Sequence, residues 1–224
     1  MAQHRRLHVL TEMKALGLVP LFHHHEGEVA WQVVQACAEG GCPLVEFTNR
    51  GDRAFDVFKH LARRRDEERP EVILGVGSVC DGPTAALFMA CGADFVVGPL
   101  LDEQVARTCN SQKVAYLPGC GSVTEIHQAH LLGVELCKVF PAGQVGGPSF
   151  IKSVKGPCAW AELMPTGGVS PTRQNLSEWF DAGAACVGMG SQLISRDVLA
   201  QASYGKLTRQ VGETLQLIAE IRGH

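Results

Sequence analysis

Apolar residues along this chain fall in short runs, and between them lie longer stretches in which apolar positions recur three or four residues apart. The short runs are GLVPLFH (17–23), PLVEFT (43–48), EVILGVG (71–77), ADFVVG (93–98), KVAYLPG (113–119), VELCKVF (134–140), WAELMPTGG (160–168) and AACVGMG (184–190). Each has strand length, and all but VELCKVF end on Gly or a polar residue, so eight strands are predicted. The intervening stretches read as helices, among them GEVAWQVVQACAEGG (27–41), RAFDVFKHLARRRDEE (53–68), TEIHQAHLLG (124–133) and LSEWFDAG (176–183). Glycine closes the first and last of these, as it often closes helices. Strand then helix, repeated eight times without a low-complexity linker, predicts an α/β protein: one (β/α)8 TIM barrel domain over residues 1–224. The early helix LHVLTEMKAL (7–16) is expected to cap the barrel's floor. An open doubly wound sheet is the competing arrangement, but eight units in about 200 residues fit closure better.

A barrel of this kind carries its chemistry at the C-terminal ends of its strands. In PLVEFTNR the period-2 alternation sets Glu46, Thr48 and Arg50 on one face, and in VELCKVF it does the same for Leu136, Lys138 and Phe140. Lys138 sits among apolar residues, where desolvation disfavours its ammonium form and favours a nucleophilic free amine. A long stem covering apolar surface with a wet head is the plainer reading of such a lysine, and an ordinary ion pair is the plainer reading of Glu46 with Arg50. The strand ends Gly75–Ser78, Gly98–Pro99, Pro118–Gly119, Pro165–Gly168 and Gly188–Ser191 are small and polar. Glycines after the seventh and eighth strands let backbone N–H groups approach an anion, which points to phosphate there.

Composition removes several alternatives. The 224 residues are 46% hydrophobic and 19% charged, with a formal net charge of -3, and show no basic footprint for nucleic acid. The one basic run, Arg63–Arg65, is followed at once by Asp66, Glu67 and Glu68 and reads as a solvated helix face. No 18 consecutive apolar residues occur and the first residues lack an apolar core of signal-peptide length, so no membrane partner and a cytosolic location are expected. Nine scattered cysteines without a Cys-x-x-Cys pair read as reduced, mostly buried thiols. His23, His24 and His25 are adjacent, and neighbours on an extended chain point to opposite faces, so a metal site shared by all three is not expected.

Taken together, VEFTNR (45–50), GVGSV (75–79), YLPGCGSVTE (116–125), KVFPAG (138–143), MPTGGVS (164–170) and GMGSQLI (188–194) resemble, in order and spacing, the class I aldolases acting on 2-keto-3-deoxy-6-phosphogluconate (KDPG) and 4-hydroxy-2-oxoglutarate (KHG). The resemblance spans nearly the whole chain. It implies that Lys138 forms a Schiff base, that Glu46 is the general acid/base, and that Arg50 and Ser78 hold the keto-acid carboxylate. It makes Phe140 an apolar wall beside the imine, sets Pro99, Pro118 and Thr166 in the pocket lining, and puts Gly167, Gly168 and Ser191 at the phosphate end. No cofactor and no metal are implied, because the lysine supplies the electron sink; a homotrimer is. The chain departs from the family pattern at Asn49, Gly51, Ser78, Leu100 and the histidine run. A substrate of galactonate configuration, a non-phosphorylated keto acid, and a non-catalytic phosphosugar-binding barrel remain as alternatives.

Overall fold

A computed structural model describes residues 2–223. All eight predicted strands form: β1 (Leu18–Phe22), β2 (Leu44–Thr48), β3 (Ile73–Gly77), β4 (Phe95–Val97), a fifth strand split into β5 (Ala115–Leu117) and β6 (Gly119–Cys120), then β7 (Leu136–Val139), β8 (Glu162–Pro165) and β9 (Val187–Met189). Every named pairing is parallel. The strands form a curled six-stranded sheet in the order β5-β4-β3-β2-β1-β9 and a three-stranded sheet in the order β6-β7-β8. The break in the fifth strand falls on Pro118, which has no N–H to donate to a ladder. Its first half pairs with β4 and its second with β7, and the Pro118 carbonyl accepts from the Lys138 N–H at 2.9 Å. Near-continuous burial along β2, β3, β4 and β7 matches strands covered on both faces.

The helices alternate with the strands as the pattern requires. α1 (Arg6–Leu16) buries Val9, Leu10 and Met13; α2 (Gly27–Glu39) buries a stripe that includes Trp31, Val34 and Cys37. α3 (Ala54–Glu68), α4 (Gly82–Ala90), α5 (Glu103–Gln112), α6 (Val123–Leu131), α7 (Gly147–Lys155) and α8 (Arg173–Asp181) follow, then a short α9 (Arg196–Ala200) and a 19-residue α10 (Tyr204–Arg222). Side-chain caps mark several starts: Asp81, Asp102, Ser122, Thr172 and Ser195 each accept a backbone N–H of the first turn. The buried apolar residues, from Val9 to Ile218, belong to one cluster.

The N-terminal segment packs against the N-terminal ends of the strands. Arg6 donates to the Val114 carbonyl at 3.0 Å just ahead of β5, and the backbone N–H groups of Gln3 and His4 donate to Asp94 just ahead of β4, at 2.7 and 2.8 Å. Asp94, fully buried, also accepts from Leu74 N–H at 3.0 Å and from Arg65 Nη1 at 2.6 Å. This corrects the reading of Arg63–Arg65 as a solvated face at Arg65, while Arg63 is exposed as expected. Arg65 is 1% exposed, because the helical period places it beside Phe58, Leu61 and Ala62 on the buried side of α3, where Asp94 and the Gly92 carbonyl satisfy its guanidinium. All nine cysteines are free; six are buried and only Cys80 is exposed.

Candidate active site

Lys138 and Glu46 lie inside the strands, 6% and 1% exposed. Their parallel neighbours explain how the room for them arises. Glu46 sits across from Gly75 on β3, and a Cβ at nearby Gly77 would run into Glu46 Oε1, so that glycine supplies the carboxyl's space. A Cβ at Gly188 would likewise run into Thr166 Oγ1. Neither oxygen of Glu46, nor Thr166 Oγ1, finds a hydrogen-bond partner among the described residues. No salt bridge there joins Glu46, Arg50 or Lys138 to anything, so Glu46 and Arg50 are not the plain ion pair considered from sequence. Burial pushes the Glu46 carboxyl above the ordinary glutamate range, while the charges of Lys138 and Arg50 pull it back. Lys138 Nζ stands 5.1 Å from the centroid of the Phe140 ring, which keeps the shared face expected for the two side chains although β7 ends at Val139.

Above them opens a cavity of about 680 Å³ lined by the exits of β1, β2, β7, β8 and β9. Of the residues picked out by sequence, it brings together Arg50, Phe140, Thr166, Gly167, Gly168 and Ser191, with Thr48 beside them. Lys138 and Glu46, buried among the strands, are not part of its lining, and neither are Ser78, Pro99 and Pro118. Ser78 leaves β3 in the left-handed region, φ 61°; Pro99 packs its carbonyl so tightly on Gly119 that a Cβ there could not fit; and Pro118 supports Lys138 through the backbone. The departure at Gly51 has a local cause: the chain turns there with φ 81°, directly after Arg50, which lines the cavity.

The turn after β8 is built from two consecutive left-handed glycines, Gly167 at φ 91° and Gly168 at φ 86°. Their carbonyls are both engaged, Gly167 with Gly143 N–H at 2.9 Å and Gly168 with Asn175 Nδ2 at 3.2 Å. Asn175 also accepts from Ser170 N–H at 2.7 Å, so this residue of α8, absent from the sequence-derived set, fixes the turn. Of the three histidines only His23 lines the cavity; His24 and His25 stack on each other with centroids 4.7 Å apart. They lie past the last residue of β1, so strand alternation no longer applies to them. Burial is the main cause holding the His23 imidazole below the usual histidine range; nearby Arg50 adds to it, and a backbone contact with Thr48 opposes it. Among the described residues no group of three or more His, Cys, Asp or Glu is placed to hold a metal ion.

The family model for KDPG and KHG aldolase matches residues 9–210. The 2-dehydro-3-deoxy-phosphogluconate aldolase of Pseudomonas aeruginosa is 34% identical over 193 residues, 86% of this chain and 84% of that one. The KHG/KDPG aldolase of Escherichia coli is 28% identical over 200 residues, 89% and 91% of the two chains. The KDPG aldolase from Legionella pneumophila, solved with pyruvate captured as a covalent carbinolamine intermediate, superposes with a TM-score of 0.83 at 23% identity, covering 92% of this chain and 97% of that one. With a match over most of its length and a lysine and a carboxyl buried together beneath a cavity at the strand exits, this chain belongs to the KDPG and KHG aldolase family.

Proposed function

We propose that the protein is a class I aldolase that reversibly cleaves 2-keto-3-deoxy-6-phosphogluconate to pyruvate and glyceraldehyde 3-phosphate, and 4-hydroxy-2-oxoglutarate to pyruvate and glyoxylate. The observation that carries this reading is the burial of Lys138 and Glu46 in the same strand layer, neither in a salt bridge among the described residues. A lysine serving only to bind phosphate would sit better at the wet rim. As the free base, Lys138 Nζ attacks C2 of the keto acid to give a carbinolamine, which loses water to an iminium. Cleavage of C3–C4 then sends its electron pair into the iminium, leaving an enamine, while the C4 hydroxyl gives up its proton and becomes the aldehyde. Protonation of the enamine at C3 and hydrolysis of the resulting imine release pyruvate and restore the amine. Glu46 moves these protons, suited to both directions because burial lets it keep a proton at higher pH than an exposed glutamate. Arg50 offers a planar fork to the keto-acid carboxylate, with Ser78 at the neighbouring exit, and Phe140 shields the imine. Thr166 forms part of the wall, Pro118 braces the lysine strand through its carbonyl, Pro99 packs behind it on Gly119, and Gly167, Gly168 and Ser191 take the phosphate.

We further infer that the eight strands close into one barrel domain. The Pro118–Lys138 hydrogen bond joins the two sheets on one side, and on the other a parallel bridge between Thr166 and Gly188 and an Ala185 N–H bond to the Leu163 carbonyl at 2.9 Å support closure. No described helix is long and apolar enough to cross a membrane, in keeping with a cytosolic enzyme. A homotrimer would sediment at three times the 24.1 kDa chain mass and would cover some of the exposed Leu100, Val123 and Leu131. The aldolase reading is tested by borohydride reduction in the presence of pyruvate: a pyruvate-derived mass on Lys138 with permanent inactivation is expected, and is lost in Lys138→Ala. Labelling elsewhere, or none, would reject the mechanism.

A further inference from the structure

Three basic residues line the cavity, His23, Arg50 and Arg196, and among the described residues no carboxylate does. Burial, with the Arg50 charge adding to it, holds His23 below the usual histidine range, and the two arginines carry the permanent positive charge of the lining. Arg50 stands at the exit of β2. Arg196 stands at the start of α9, two strands away around the mouth, on the loop that leaves β9 past Ser191. A tight turn holds that loop back over the cavity: the Gly190 carbonyl accepts from both Leu193 and Ile194 N–H at 2.9 Å, and Ser195 caps α9 by accepting from Val198 N–H at 3.3 Å. No salt bridge engages either arginine among the described residues, and Arg196 is exposed at the rim. One carboxylate at Arg50 would leave the second guanidinium without a counterpart.

We propose that Arg196 is a specificity-determining residue that pairs with the terminal phosphate of the substrate and makes the enzyme favour phosphorylated keto acids. The inference rests on the aldolase reading and deepens it. A phosphate monoester carries nearly two charges at neutral pH and presents the oxygens a guanidinium fork can meet two at a time. Because Arg196 is exposed, its contribution lies near the lower end of that for hydrogen bonds to charged groups, and salt weakens it.

The test compares 2-keto-3-deoxy-6-phosphogluconate with unphosphorylated 2-keto-3-deoxygluconate in wild type, Arg196→Ala and Arg196→Lys. Arg196→Ala is expected to lower kcat/KM on the phosphorylated substrate about 10-fold at low salt, mostly through KM, and to leave the unphosphorylated one unchanged. Arg196→Lys should recover part of the loss, and added salt should narrow the gap between wild type and Arg196→Ala. Equal losses on both substrates, or no loss on the phosphorylated one, would overturn the assignment. Pyruvate trapping by borohydride separates this from failure of the aldolase reading: a wild type that traps pyruvate and cleaves both substrates, with Arg196→Ala indistinguishable from it, sinks only the role of Arg196. A wild type that neither traps pyruvate nor cleaves sinks both.

Discussion

Replacing Glu46 with Gln keeps the side chain's size while removing its ability to carry a proton to and from the reacting carbons. The carboxyl is 1% exposed, Gly77 leaves it room, and neither oxygen is tied to a partner among the described residues, so a glutamine of equal size has space and the fold should survive. A positioned general acid/base contributes about 10² to 10⁴ in rate, or roughly 2.7 to 5.4 kcal/mol of barrier. Exchange of the C3 protons of pyruvate with deuterated water, followed by NMR, should fall by that factor in Glu46→Gln, while borohydride still traps some pyruvate on Lys138. Stability gives a second readout with a definite sign. The Glu46 carboxyl titrates above its ordinary value of 4.5 in the native protein, so between 4.5 and that raised value the native state holds more proton than the unfolded chain. Stability from this group is therefore complete below pH 4.5 and is lost as pH rises through the raised value. The variant lacks this dependence; its buried amide adds only a pH-independent offset, and its stability relative to wild type should improve from pH 4 to pH 8 in urea titrations. Exchange at the wild-type rate would remove Glu46 from the chemistry, and a stability difference that ignores pH would show that burial does not shift its titration.

At the far end of the substrate, Ser191→Ala should lower kcat/KM on the phosphorylated six-carbon acid by an amount corresponding to about 1.5 to 3 kcal/mol while barely changing cleavage of 4-hydroxy-2-oxoglutarate, and steady-state kinetics on the two substrates check this. Gly168→Val should be more severe on the phosphorylated substrate, since φ is 86° there and a Cβ would come within 3.2 Å of Gly143 Cα. At the opposite end of the strands, Asp94→Ala removes the buried acceptor of Arg65 Nη1 and of the Gln3, His4 and Leu74 N–H groups, leaving Arg65 only Asp66 and the Gly92 carbonyl, and should cost about 3 to 5 kcal/mol, a fall in Tm of roughly 6 to 20 °C by calorimetry. A smaller fall, below about 1 kcal/mol, would mean that Arg65 finds water or another acceptor.

What the sequence revealed, it revealed through period and turn chemistry. Strand alternation was enough to set Glu46 with Thr48 and Lys138 with Phe140, and all eight apolar runs became strands because nothing in their tertiary surroundings competes with those patterns. Features that depend on a partner far along the chain stayed hidden. Arg65 reads as one of three exposed arginines until Asp94, 29 residues on, comes to meet it. Gly77 and Gly188 look like ordinary turn glycines, and only the strand beside each shows that the missing side chain is the space for Glu46 or Thr166. Arg196 follows the GMGSQLI motif by two residues, but its place at the mouth depends on the loop doubling back over Gly190, which no periodicity encodes.

The molecule contains two deeply buried carboxylates treated in opposite ways. Asp94 receives donors from the N-terminal segment, β3 and α3, while Glu46, at the other end of the same layer of strands, receives none among the described residues. One end is a clasp that gathers distant parts of the chain, and the other is kept unsatisfied for a visitor. Such a division frees the exit loops to drift in length and composition under selection for new aldehydes, because the contacts that hold the chain together lie beyond their reach. It also exposes the protein to damage from an unexpected quarter: a fusion or trimming at the first few residues, remote from any substrate, would loosen the clasp before it touched the chemistry.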